Sequence, residues 1–196
     1  MSLNTMLIKK INEIFGSYRG MIRLAIGTLK MWSGYYSKNE NINWTEVKRL
    51  VFVCQGNICR SPYGHFLASQ QGITNVASFG YATTTGLPAN PQAMKVANER
   101  GLPLTGHLTT DMNDFDFQNG DLLLVMEDRH LQKMTHHNIK DKNIQVTMLG
   151  LWKAPKIALL YDPHSLSDEY FHQCYARIEL ATENVVKKYL KSQKMK

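Results

Sequence analysis

The run Leu122-Leu123-Leu124-Val125-Met126 is apolar at every position, so a strand formed there must be covered on both faces. That places it in the interior of a parallel sheet sandwiched between helices. Leu50-Val51-Phe52-Val53 repeats the pattern earlier, and Val76–Phe79 and Ile144–Met148 are weaker strand candidates. Helical patterns lie between and after them, over 61–71, 91–100, 127–135 and 167–190. The second has Asn90 to cap it, Pro91 in its first turn and Gly101 just past its end. This alternation predicts one doubly wound α/β domain over 46–196, with a four-stranded parallel sheet and helices on both faces. Residues 1–45 precede it as an N-terminal helical extension and linker.

In such folds ligands bind at the carboxyl ends of the strands, which directs attention to the loop after Val53. It reads Cys54-Gln55-Gly56-Asn57-Ile58-Cys59-Arg60-Ser61-Pro62. Gly56 and Asn57 tolerate left-handed backbone, so the turn can aim several N–H groups at one point. A helix opening at Ser61-Pro62 adds its positive dipole end, making an anion site of phosphate size. Arg60 can grip two phosphate oxygens with its planar fork. Cys54, at the base of that ring of donors, is placed to serve as a thiolate nucleophile under a bound phosphate.

Within Val53-Cys54-x-Gly56-Asn57-Ile58-Cys59-Arg60-Ser61-Pro62, the Cys-x5-Arg-Ser spacing resembles the low-molecular-weight protein tyrosine phosphatases. Pro88-Ala89-Asn90-Pro91, Glu99-Arg100-Gly101, Gly106-His107, the run from Asp121 and Asp162-Pro163 extend the likeness over residues 48–190 in the family's order. The resemblance implies a phosphomonoester hydrolase with a phosphocysteine intermediate and no metal or cofactor, and the chain's three cysteines fit a reduced, cytoplasmic setting. Its substrate would be a phosphotyrosine protein or a small aryl phosphate. Cys54 would be the nucleophile, Arg60 the phosphate clamp and Asp162 the general acid and base. Gln55, Gly56, Asn57, Ile58, Cys59 and Ser61 would form the phosphate loop, with Ser61 donating to the Cys54 sulfur. Ser78 and His107 would help Asn57 and Ser61 to hold it in shape. Cys59 would pair reversibly with Cys54 under oxidation.

Some positions depart from the family pattern, and each bears on substrate choice. Phe79 stands where an Ala-type residue is usual, and the loop 81–86 lacks the common aromatic wall. His164-Ser165 replaces the aromatics that usually follow Asp-Pro. Tyr81, Tyr161 and Tyr170 are candidates to replace the missing rings. Ile58 matches tyrosine-directed relatives, whereas phosphoarginine-directed ones tend to carry Thr there.

Two other functions use such a loop. Thiol-dependent arsenate reductases need relay cysteines near the helix after the third strand, and 120–143 contains none. A non-catalytic phosphate-binding or phosphocarrier module is the other, but phosphocarriers built on a similar loop lack the Arg and the distant Asp, and Arg60 and Asp162 are both present here. A zinc site at Cys54 and Cys59 would need a second ligand pair, which neither Cys174 nor the scattered histidines supply. Cys174 reads as a buried apolar residue, and His136-His137 as a solvated helix end.

The chain's net charge of +7 is unevenly placed. Residues 1–50 carry +5, 185–196 another +5, and the body between them −3. This is not the pattern of a nucleic-acid binder. Leu7, Ile8, Ile11, Ile14, Ile22, Ile26 and Leu29 recur at helical spacing within 4–36, with Gly16 and Gly20 as weak points. Such a stripe packs on the body or on a second copy, or lies on an anionic membrane surface; packing is the commoner use. Charges from Lys9 to Lys30 rule out a membrane span, and Glu13 interrupts any signal-peptide core.

Overall fold

The structure, a computed structural model, describes residues 3–136 and 143–194, with Thr135 and His136 as backbone only. His137 and Lys196 lie outside the described residues. Four strands form one parallel sheet: β1 (Arg49–Cys54), β2 (Val76–Gly80), β3 (Asp121–Val125) and β4 (Gln145–Met148), in the order β2-β1-β3-β4. Alternate residues of β1 feed two separate cores, as a strand's period of two requires. Leu50 and Phe52 pack with Leu122 and Leu124 under three helices, α4 (Arg60–Gln70), α5 (Pro91–Glu99) and α7 (Asp168–Gln193). Val51 and Val53 pack with Leu123 and Val125 against α6 (Asp128–His136) and the partly buried Phe115 and Phe117. The expected doubly wound fold is therefore present.

The terminal chemistry read at α5 is also in place. Asn90 Oδ1 accepts from the Ala93 N–H at 3.1 Å, Pro91 opens the helix, and Gly101 has φ +75°. Ser167 caps α7 in the same way, accepting from the Tyr170 N–H.

The N-terminal region differs from expectation. The continuous helical stripe is two helices, α1 (Leu3–Phe15) and α2 (Tyr18–Trp32). They are split where Gly16 takes φ +78° and Ser17 accepts from the Gly20 N–H. The segment 37–43, within the 1–45 extension and linker, begins with a helical turn, α3 (Ser37–Glu40). It is tied to β4 by hydrogen bonds from Asn39 Nδ2 to the Val146 carbonyl and from the Asn43 N–H to Gln145 Oε1. Tyr36, just before α3, is buried in the second core.

The apolar stripe is also not the packed face of α2. Gly20 and Gly27 are the buried residues of that helix. A Cβ on Gly20 would lie 2.8 Å from the Tyr161 ring, and one on Gly27 2.7 Å from Ala158 Cβ. Glycine thus lets the helix approach residues 158–161 at backbone distance. Ile22, Ile26 and Leu29 are left exposed on the other side.

Candidate active site

The loop from Cys54 to Arg60 joins the end of β1 to the start of α4. Its shape is set by where its carbonyls go. Cys54 O accepts from the Tyr81 N–H (3.3 Å) and Gln55 O from the Ala82 N–H (3.0 Å). Asn57 O accepts from His107 Nε2 (2.7 Å), Ile58 O from the Asn90 N–H (2.9 Å), and Cys59 O from the Tyr175 hydroxyl (3.2 Å). These carbonyls bond outward to five other residues. In a trans peptide the N–H opposes the C=O, so the same linkages turn the loop's N–H groups inward over Cys54. The result is an anion-binding concavity continued by the N-terminus of α4.

Asn57 is the keystone of this loop and is fully buried. Its φ of 52° is left-handed, which Asn tolerates. Gly56, expected to share that role, has no positive φ. Asn57 Nδ2 donates to Ser61 Oγ (2.8 Å) and Ser78 Oγ (3.0 Å), while its Oδ1 accepts from the Thr110 N–H (2.9 Å). Ser61 Oγ lies 3.1 Å from Cys54 Sγ. Burial lowers the pKa of His107, although its bond to the Asn57 carbonyl works the other way; that bond requires Nε2 to carry the hydrogen. His65 Nδ1 stands 3.2 Å from Ser78 Oγ, and burial, helped by His107, lowers its pKa to about 4.

Arg60 is 1% exposed and held from behind. Its Nη1 donates to Glu127 Oε1 (2.6 Å) and to the Leu160 carbonyl (2.8 Å), its Nη2 lies 2.7 Å from Asp162 Oδ2, and its Nε has no hydrogen-bond partner among the described residues. Burial works against the charge of Glu127, but Arg60, with His130 and Arg129, outweighs it and holds the carboxyl at about 2. Cys54, Gln55, Gly56, Ile58, Cys59, Arg60 and Asp162 line one cleft with Ala82, Thr83, Leu87 and His164. Asn57, Ser61, Ser78 and His107 are buried and do not line it. The structure thus brings every expected site residue to one place, in two tiers. Cys54 and Cys59 are buried free thiols, and burial pushes the Cys59 pKa up.

Two expectations about the walls need correction. Phe79 does not face the cleft: it is fully buried in the second core, 4.5 Å from the Phe115 ring. None of Tyr81, Tyr161 and Tyr170 lines the cleft either. Tyr81 packs on His130 with ring centres 5.1 Å apart, Tyr161 lies beneath α2, and Tyr170 is buried with its hydroxyl on the Tyr161 carbonyl. Ile58, Leu87, Thr83 and His164 supply the wall instead.

Sequence reasoning missed Glu127 and Gly80. Glu127 lies two residues past the end of β3, and an acid at the carboxyl end of a buried strand is a signal of the kind that singled out Cys54. Gly80 ends β2 where a Cβ would lie 2.8 Å from both Asn57 N and Gln55 O, so only glycine lets the loop pass.

The family model for low molecular weight phosphotyrosine protein phosphatase matches residues 49–196. The chain belongs to this family. Low molecular weight protein-tyrosine-phosphatase Wzb of Escherichia coli strain K12 is 32% identical over 131 residues, which is 66% of this chain and 87% of that protein. The crystal structure of the tyrosine phosphatase Wzb from Escherichia coli K30 in complex with sulphate superposes with a TM-score of 0.61 at 31% identity, covering 72% of this chain and 98% of that one. The YwlE arginine phosphatase from Geobacillus stearothermophilus superposes at 0.62 with 22% identity, over 75% of this chain and 96% of its own, a likeness of fold. The phosphatase family's match leaves residues 1–48 uncovered.

Proposed function

We propose that this low molecular weight phosphatase hydrolyses phosphotyrosine on proteins through a phosphocysteine formed on Cys54, with residues 46–196 as the catalytic unit. The outward tethering of the loop carbonyls carries this reading, because it leaves a ring of N–H donors over the Cys54 sulfur. Cys54 Sγ attacks phosphorus as the bond to the tyrosyl oxygen breaks. Asp162 gives that oxygen its proton. Asp162 then takes a proton from water; the water oxygen attacks phosphorus, and the S–P bond breaks. Ser61 Oγ, 3.1 Å from the sulfur, stabilises the departing thiolate. The Nε and Nη2 edge of Arg60 holds phosphate oxygens, Nη2 exchanging Asp162 Oδ2 for phosphate, while Nη1 stays on Glu127. Ile58 and Leu87 offer the apolar contact for a tyrosyl ring or a smaller aryl group.

The purified full chain is expected to hydrolyse p-nitrophenyl phosphate at mildly acidic pH without added metal. Cys54→Ser abolishes turnover on this account, and Asp162→Asn slows it most for poor leaving groups. Undiminished turnover by Cys54→Ser would refute the mechanism.

A further inference from the structure

The outer face of the N-terminal helices takes no part in the fold or the site. On α2, Ile22, Ile26 and Leu29 follow one another at helical spacing and are 38%, 51% and 62% exposed, with Trp32 at 77%. On α1, Leu7 and Ile8 are 58% and 59% exposed. Exposed large apolar side chains grouped along one face of a helix are unusual on a protein that meets only water. Arg19, Arg23 and Lys30, separated by four and seven residues, run along the flank of α2 between this apolar face and the glycine face. Arg23 and Lys30 reach back towards Glu127 and Asp128, while Arg19 and Lys10 make no ion pair within the chain among the described residues. Residues 1–36 contain five basic side chains and one acidic one.

From this arrangement we propose that α1 and α2 dock the protein on an anionic lipid bilayer. The helices would lie in the plane of the interface, with Ile22, Ile26, Leu29 and Trp32 entering the acyl boundary and Arg19 and Lys10, which are not committed to acids of the body, facing lipid phosphates. An in-plane helix needs an apolar face with cations beside it, and α2 has both. Trp32 and Tyr18 are amphipathic rings suited to that depth. A second copy is the poorer occupant, because a face-to-face pair would bring two such basic flanks together. Insertion across the bilayer is a different matter: no helix among the described residues is long and apolar enough to cross one. Docking would leave the inner face of α2 where it is, on Ala158 and Tyr161 next to Asp162.

Co-sedimentation of the full chain with phosphatidylcholine vesicles, with and without phosphatidylglycerol, tests this. The full chain is expected to bind the anionic vesicles only, and less as salt rises. Ile22→Ser/Leu29→Ser/Trp32→Ser is expected to bind at least about tenfold more weakly, and so is Lys10→Glu/Arg19→Glu. Both variants should hydrolyse p-nitrophenyl phosphate in solution as the parent does, since the substituted residues are exposed and none of them lines the cleft. Should the apolar variant fail to fold, the charge variant decides. Absence of binding by the parent, or undiminished binding by a folded variant, would overturn the proposal. So would a parent dimer in light scattering that the apolar variant abolishes, without vesicle binding.

Discussion

Glu127 anchors Arg60 from 67 positions away, with its carboxylate inside the protein and its charge balanced by the guanidinium. Removing one partner of a buried ion pair leaves the other uncompensated, so Glu127→Gln should destabilise the fold by about 3 kcal/mol at pH 7. The carboxyl's native pKa, about 2, lies below its ordinary value of 4.5. Its contribution is therefore complete above that ordinary value and is lost as the pH falls towards the native one. Denaturant titrations from pH 7 to 3 should show parent and variant converging in acid; a constant difference would contradict the assignment. The nucleophile and clamp were legible in the sequence because they occupy one short loop whose residue types have few other joint uses. Glu127 was not, since the pairing arises only when β1 and β3 lie side by side. Phe79 shows the opposite failure: its position in the motif order was legible, but the pleat of β2 turns it into the core.

Among the elements, the loop after β1 depends on how closely β2 lets it approach. Gly80 makes that approach possible, and a methyl group there would meet Asn57 N and Gln55 O at 2.8 Å. Gly80→Ala should therefore lower kcat/KM for p-nitrophenyl phosphate by about a hundredfold, since misplacement by an ångström costs that much, while far-ultraviolet circular dichroism stays unchanged. An unaffected kcat/KM would show that the loop is not held against β2. Strand and helix positions were readable because burial on both faces leaves a continuous apolar signature. The N-terminal helices were harder. Periodicity reports that a helix has an apolar face, but not that this face is the buried one. Here close approach to residues 158–161 selected the glycine face of α2, and that partner lies over a hundred residues along the chain.

For the molecule as a whole, the order β2-β1-β3-β4 places β1 between strands on opposite sides of the topological switch point. The loop from β1, the acid after β3 and the Asp162 segment meet there, as the ion contacts of Arg60 show. Residues 51–184, which hold the site, carry net −3, and the positive excess lies at the two ends of the chain. Phosphate recognition therefore rests on oriented backbone donors and one arginine rather than on a basic surface. The most direct test is to quench Asp162→Asn with denaturant during turnover of p-nitrophenyl phosphate, whose good leaving group departs without the acid, and map the phosphoryl group by mass spectrometry. The account predicts one phosphoryl group on the peptide carrying Cys54, absent in Cys54→Ala/Asp162→Asn. A phosphoryl group on any other side chain, or one that persists without Cys54, would contradict it.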